Sequence, residues 1–117
     1  MTYLDTDVLD ELLEILGDED LRSITDSFVE QLGHQLTALD TQLEQTNFAE
    51  IARIAHSLKG GAGNLGAIAL SETAAALERH AREGDADMTS SVMTTLPELA
   101  RQTVAELSER GYASAES

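Results

Sequence analysis

Apolar residues recur along this chain at steps of three and four, and no stretch alternates as a half-buried strand would. Leu9, Leu12, Leu13 and Leu16 share one side of a first helix over about residues 7–16. Gly17 stops it, and Asp18 can cap the next. The second helix carries the longest pattern. Leu21, Ile24, Phe28, Leu32, Leu36, Leu39 and Leu43 form one stripe at close to heptad spacing. Asn47 with Glu50 resembles a capping box and opens a third helix with Phe48, Ile51, Ile54, Ala55, Leu58, Ala62 and Leu65 as its apolar positions. Gly66 marks its end. A fourth helix carries Leu70, Ala74, Leu77 and Ala81 and ends at Gly84. A fifth spans about residues 87–110, with Val92, Leu96, Leu99, Thr103 and Leu107 inward. Pro97 is expected to kink or restart it, because Thr95 and Glu98 read as a second capping box.

Short connections make neighbouring helices antiparallel. The pattern therefore predicts an all-α fold, an up-down antiparallel four-helix bundle with a short extra N-terminal helix. The 117 residues suit one domain, 1–117, with residues 1–6 and 111–117 expected to fray. Two Phe, two Tyr and no Trp leave an aliphatic core. Cysteine is absent, which excludes disulfides and thiolate metal sites. The acidic N-terminus is no signal peptide, and no apolar run reaches the roughly 18–20 residues that span a bilayer. A soluble, cytoplasmic monomer is the expectation.

The net charge of −15 disfavours nucleic acid and anionic membranes as partners. It is unevenly placed. Residues 48–84 hold four bases (Arg53, Lys59, Arg79, Arg82) and four acids (Glu50, Glu72, Glu78, Glu83), whereas the remainder holds eighteen acids and three bases. Only the central segment would not repel an acidic partner.

That segment contains HSLKGGAGNLGA, residues 56–67, in which GAGNLG satisfies the dinucleotide fingerprint G-x-G-x-x-G. The fingerprint needs a preceding strand, but FAEIARIAHSLK is an amphipathic helix. The phosphate-binding pattern G-x-x-x-x-G-K-[ST] is absent too. A helical wheel gives the glycines another purpose. With Ile51 at zero, His56 falls at about 140°, away from the apolar arc, with Ala52 at about 100°, Gly63 at about 120° and Gly60 at about 180°. Small residues thus flank His56 one turn before, one turn after and two turns after. Glycine inside a helix costs about 1 kcal/mol relative to alanine. Access explains the cost: a partner protein must approach the imidazole, and Ala52, Gly60 and Gly63 leave room for it. Lys59 falls at about 80°, at the edge of the same face.

A neutral imidazole nitrogen is a good nucleophile. Nothing beside His56 completes a hydrolytic site, and Ser57 projects about 100° away. His34, His56 and His80 lack metal-ligand spacing, and no cofactor or metal is expected. His34 and His80 read as ordinary surface or structural histidines. Phosphoryl transfer asks less of one partner, because catalysis there is mostly positioning and charge stabilisation. His56 would supply the nucleophile and Lys59 a cation for the phosphoryl oxygens.

AHSLKGG at 55–61, continuing to NLGA at 64–67, resembles the signature of histidine-containing phosphotransfer (HPt) domains of bacterial phosphorelays, roughly A-H-x-L-K-G-x-A/G-x-x-x-G. The resemblance extends over nearly the whole chain, including the acidic first helix, the Phe28 region and Leu77–Glu78. It implies a four-helix bundle with an extra N-terminal helix. It also implies that His56 is phosphorylated, that Lys59 stabilises the phosphoryl group and that Gly60 leaves room for it. The implied partners are receiver domains of a response regulator and of a hybrid sensor histidine kinase, magnesium being held by the receiver. Such a carrier has no kinase or hydrolase site of its own. The alternative is a helical adaptor that binds a receiver without being phosphorylated. Gly61, where serine or alanine is commoner, and Pro97 depart from the family pattern.

Overall fold

The computed structural model describes residues 3–114, and all its regular elements are helical: α1 Thr6–Leu16, α2 Asp18–Glu44, α3 Phe48–Asn64, α4 Ile68–Arg82 and α5 Ala86–Glu109. Helices α2 to α5 pack each against the next, and α5 returns to α2, which closes a four-helix bundle with α1 laid on α2. The all-α bundle with a short N-terminal helix is therefore the fold.

The local chemistry sets the element ends. Asp5 Oδ1 caps α1 by accepting from Asp7 N, Asn47 Oδ1 caps α3 by accepting from Glu50 N, and Asp85 Oδ1 caps α5 by accepting from Met88 N. Asp18 is not a cap: it is the first residue of α2, and its carboxylate lies with Glu19 and Asp20 at the positive end of that helix. Gly66 and Gly84 end α3 and α4 with φ of +75° and +68°. Both close Schellman turns, in which Ala67 N donates to Ala62 O and Asp85 N to His80 O.

The core is aliphatic and runs the length of the bundle, through Leu9, Leu39, Ile51, Leu58, Leu70, Leu77, Leu96 and Leu107, each at most 1 % exposed. Two stripes lie differently from the sequence reading. On α5 the buried line is Thr89, Met93, Leu96, Ala100, Thr103 and Leu107, with Val92 and Leu99 half-buried beside it. On α2, Ile24 is 49 % exposed while Thr25 is buried, its hydroxyl donating to Leu21 O. Thr103 does the same towards Leu99 O. A threonine that satisfies its hydroxyl within its own helix can face the core.

Pro97 does not restart α5, which runs unbroken from Ala86 to Glu109. The hydroxyl of Thr95 donates back to Val92 O, so no second capping box forms. Burial of Leu96 and Ala100 on either side carries the helix through the proline.

Residues 3–6 and 111–114 are anchored rather than frayed; residues 1–2 and 115–117 lie outside the described residues. Leu4 and Ala113 are buried. Tyr3 N donates to Glu106 Oε1 and Asp5 N to Gly66 O. Tyr112 Oη donates to Asp10, and Ser114 gives Asp26 two hydrogen bonds, which hold the Asp26 carboxyl below its ordinary value. The two ends thus pin α1 against the bundle.

Gly66 is where this clasp meets the α3–α4 turn. A Cβ there would lie 2.9 Å from Asp5 O, on a backbone that L side chains rarely adopt. Gly66→Ala should cost about 2 kcal/mol or more in urea unfolding and loosen the N-terminal segment. Undiminished stability would show that Asp5 does not sit against this turn.

Candidate functional site

The solvent-facing side of the α3–α4 pair gathers three charged or ionisable side chains around one carboxylate. Small residues let the helices approach closely. A Cβ on Gly63 would sit 3.3 Å from Ser71 Oγ, and that hydroxyl donates to Lys59 O across the helix pair at 3.0 Å. Ala52, Ala55, Ala62, Ala74 and Ala81 are buried in the core beside it. This spacing brings Glu78 of α4 against the exposed edge of α3.

Glu78 has 9 % of its side chain exposed. Its Oε2 accepts from His56 Nδ1 at 3.0 Å and forms an ion pair with Arg82 Nη2 at 2.7 Å, and its Oε1 accepts from Lys59 Nζ at 2.9 Å. The Lys59 hydrogen bond does most to hold the Glu78 carboxyl below its ordinary value of 4.5; burial opposes it, and His56 and Arg82 add to the lowering. An ionised carboxylate only accepts, so the hydrogen of the neutral ring lies on Nδ1. The lone pair is then on Nε2, which has no partner among the described residues. The His56 side chain is 61 % exposed. The site is therefore an oriented imidazole whose outward nitrogen is free to attack.

The residues anticipated as access positions divide. Gly60 is exposed, and a Cβ there meets nothing within 4 Å among the described residues, so packing within the chain does not require glycine. Gly63 instead serves the close α3–α4 contact. Ala52 is 6 % exposed and buried rather than open; it lines, with Phe48, Arg53, His56, Arg82 and Gly84, a shallow depression of 620 Å³ beside the histidine. The wheel put Ala52 and Gly63 on the face of His56; Ala52 shares that depression with the ring, whereas Gly63 lies against Ser71, because α4 covers that flank. Lys59 stands one turn from His56, 37 % exposed and bound to Glu78.

Glu78 carries the arrangement, and no site role was read for it from the sequence. The signal was present: an acid beside Leu77 on the buried side of α4, with Arg82 four residues on. His34 is exposed on α2, and His80 Nδ1 lies 3.6 Å from Glu83. The glycine fingerprint lies on α3 and its terminal turn, with no strand among the described residues. Nor does any group of three His, Cys, Asp or Glu suited to a metal ion occur among them. Among the described residues no helix is long and apolar enough to cross a membrane.

Comparison with known proteins points the same way. The Hpt domain family model matches residues 23–109. The sensor histidine kinase AruS of Pseudomonas aeruginosa is 35% identical over 78 residues, which are 67% of this chain; the chain spans 8% of that kinase's length. The crystal structure of histidine-containing phosphotransfer protein B (HptB) from Pseudomonas aeruginosa PAO1 superposes with a TM-score of 0.87 at 27% identity, covering 93% of this chain and 94% of that one.

Because folding lowers the pKa of Glu78, its contribution to stability is complete above about pH 4.5 and is lost as the pH falls through the lower folded value. Urea midpoints between pH 6 and pH 3 should therefore fall less steeply for Glu78→Gln than for the wild type. Parallel curves would mean that the carboxylate is not ionised within this cluster.

Proposed function

The chain belongs to the Hpt domain family, a histidine-phosphotransfer component of phosphorelays, and from that premise we propose that it carries a phosphoryl group on His56 Nε2 between receiver-domain aspartates. The observation that supports this most directly is the 3.0 Å contact of Nδ1 with Glu78, which leaves the outward nitrogen as the nucleophile.

In the proposed reaction a phosphorylated receiver aspartate approaches the α3–α4 face. The Nε2 lone pair attacks phosphorus in line, the N–P bond forms, and the P–O bond breaks with its electrons on the aspartate. Transfer onward to a second receiver is the reverse. The receiver supplies the magnesium. Lys59 has three N–H donors and spends one on Glu78, so it can offer another to the phosphoryl oxygens. Gly60 keeps the approach clear. On the α2 side of Gly61, a groove lined by Leu12, Leu16, Ile24 and Phe28 offers apolar surface for the docked domain. The proposed partners are receiver domains of a response regulator and of a hybrid sensor kinase, in the cytoplasm and with this chain as a monomer. The carrier needs no kinase or hydrolase site of its own.

Intact-mass measurement after incubation with a phosphorylated receiver tests this. One phosphoryl group should appear, labile in acid and stable in base, and His56→Gln should remove it while leaving the helical circular dichroism unchanged. A receiver that binds without transferring would instead favour the adaptor reading. Lys59→Ala should slow transfer about tenfold or more without abolishing it. An unchanged rate would remove Lys59 from the reaction. Gly60 gives a sharper pair. Gly60→Ala should stabilise the fold by about 0.5–1 kcal/mol, since nothing occupies the space a methyl would fill. Gly60→Gln should keep that stability yet weaken receiver binding; full-strength binding would refute the access role.

A further inference from the structure

The α2–α5 seam lies across the bundle from His56, because the helices pack in the ring order α2, α3, α4, α5. Along this seam runs an open groove of 660 Å³. Leu32 and Ala100, at 2 % and 3 % exposed, form its floor, and Val29, Leu36 and Val104 are half-buried in its walls. From Pro97 to Glu109 it follows α5 for about 18 Å, at about 1.5 Å per residue.

Two of its lining residues are poor helix formers, and packing within the chain requires neither. Gly33 stands inside α2 without a positive φ, and a Cβ there meets nothing within 4 Å among the described residues. Pro97 stands inside α5, where it removes a backbone N–H, and its ring is exposed. With Ala105 they keep the walls low. Larger side chains at these positions would close the groove over its apolar floor.

Charge decides what fits there. Helices α2 and α5 together carry eleven acids and two bases, and both bases are paired within their own helix, Arg22 with Asp18 and Arg101 with Glu98. On α2, Asp26, Glu30, Asp40 and Glu44 all fall within about 60° of Gly33 around the helix. On α5, Glu109 lines the groove, as does Arg101 with its bound Glu98. Helices α3 and α4 carry three acids and four bases. The molecule is thus polarised: the side that bears His56 tolerates an acidic partner, and the opposite seam attracts a cationic one.

We propose that the α2–α5 groove docks a basic amphipathic helix of a partner protein other than the receiver domains. Its apolar side lies on Val29, Leu36 and Val104, and its lysines or arginines reach the acids along the rim. A helix suits a straight channel between two neighbouring helices, and about 18 Å takes about three turns of it. A second copy of this chain is a poor occupant. Two such seams would set like charges together, and the α3–α4 side offers an excess of only one base. Because groove and histidine lie on opposite sides, the docked helix leaves His56 uncovered, and the inference does not rest on its phosphorylation.

The whole ¹⁵N-labelled chain is titrated with three synthetic peptides of about 18 residues, about five helical turns. One has leucines along one helical side and lysines along the other. The second has the same composition in an order with no apolar side, and the third has glutamate for every lysine. The first should shift the backbone amides of Val29, Gly33, Leu36 and Val104 saturably and leave those of His56 and Lys59 in place. The other two should bind about tenfold more weakly or worse. Gly33→Gln should keep the helical circular dichroism and weaken the first peptide about tenfold. Glu30→Lys combined with Asp40→Lys, at two exposed positions, should weaken it without filling the groove. Equal binding of the reordered peptide would overturn the inference. So would shifts centred on the α3–α4 side, or full-strength binding by both variants. A dimer in sedimentation that Gly33→Gln dissolves would give the groove to a second copy, and saturable shifts of the same amides by a receiver domain would give it to the receiver; either result overturns the assignment to a basic helix.

Discussion

Everything at the site depends on how closely α3 and α4 approach. Glycine at 63 and alanines at 52, 55, 62, 74 and 81 let the backbones draw together, and the Ser71 hydroxyl bound to Lys59 O ties them at mid-length. Larger side chains along this seam would move Glu78 away from α3. The carboxylate would then meet neither His56 nor Lys59, and the imidazole would have no fixed tautomer. A bundle built on leucine pairs along this seam would hold the helices further apart and would not orient the ring. Packing here is the means by which two helices place a proton on one nitrogen rather than the other.

The electrostatics follow from that geometry. A chain of net charge −15 is a poor setting for one more acid in a nearly buried position. Glu78 is tolerated because Lys59 and Arg82 reach it at 2.9 and 2.7 Å, both from the only segment where bases match acids in number. The same residues thus keep the carboxylate ionised and make this face the least repulsive to an acidic partner.

The sequence made the fold legible because periodicity, caps and terminating glycines agree at nearly every element; Gly66 and Gly84 end their helices as read. Where the reading missed, tertiary context decided. Thr89, Met93 and Ala100 outrank Val92 and Leu99 on α5 because the inward line is set by where α4 lies, and a periodicity count ranks residues by hydropathy alone. Thr25 is inside because its hydroxyl bonds within the helix, which hydropathy does not register; Thr103, read as inward, is held in the same way. His56, Lys59 and Gly60 were legible from spacing on one helix. Glu78 was not, because its partners lie 19 and 22 residues away on another helix.

The glycines show how function separates from fold. Gly66 is required by its positive φ and by Asp5 O, and Gly63 by Ser71. Each is explained by contacts within the chain, Gly63 by the one that sets how closely α3 and α4 approach. Gly60 has no such neighbour among the described residues and no unusual backbone, yet it sits inside a helix that alanine would strengthen. A residue that costs stability and serves no internal contact is explained by something outside the molecule. Gly60 lies one turn beyond the exposed nitrogen of His56, on the face where Lys59 and Arg82 converge on Glu78. Under the proposed function, the cost of Gly60 and the orientation of His56 are two sides of one requirement, that a second protein bring its reacting atom to Nε2.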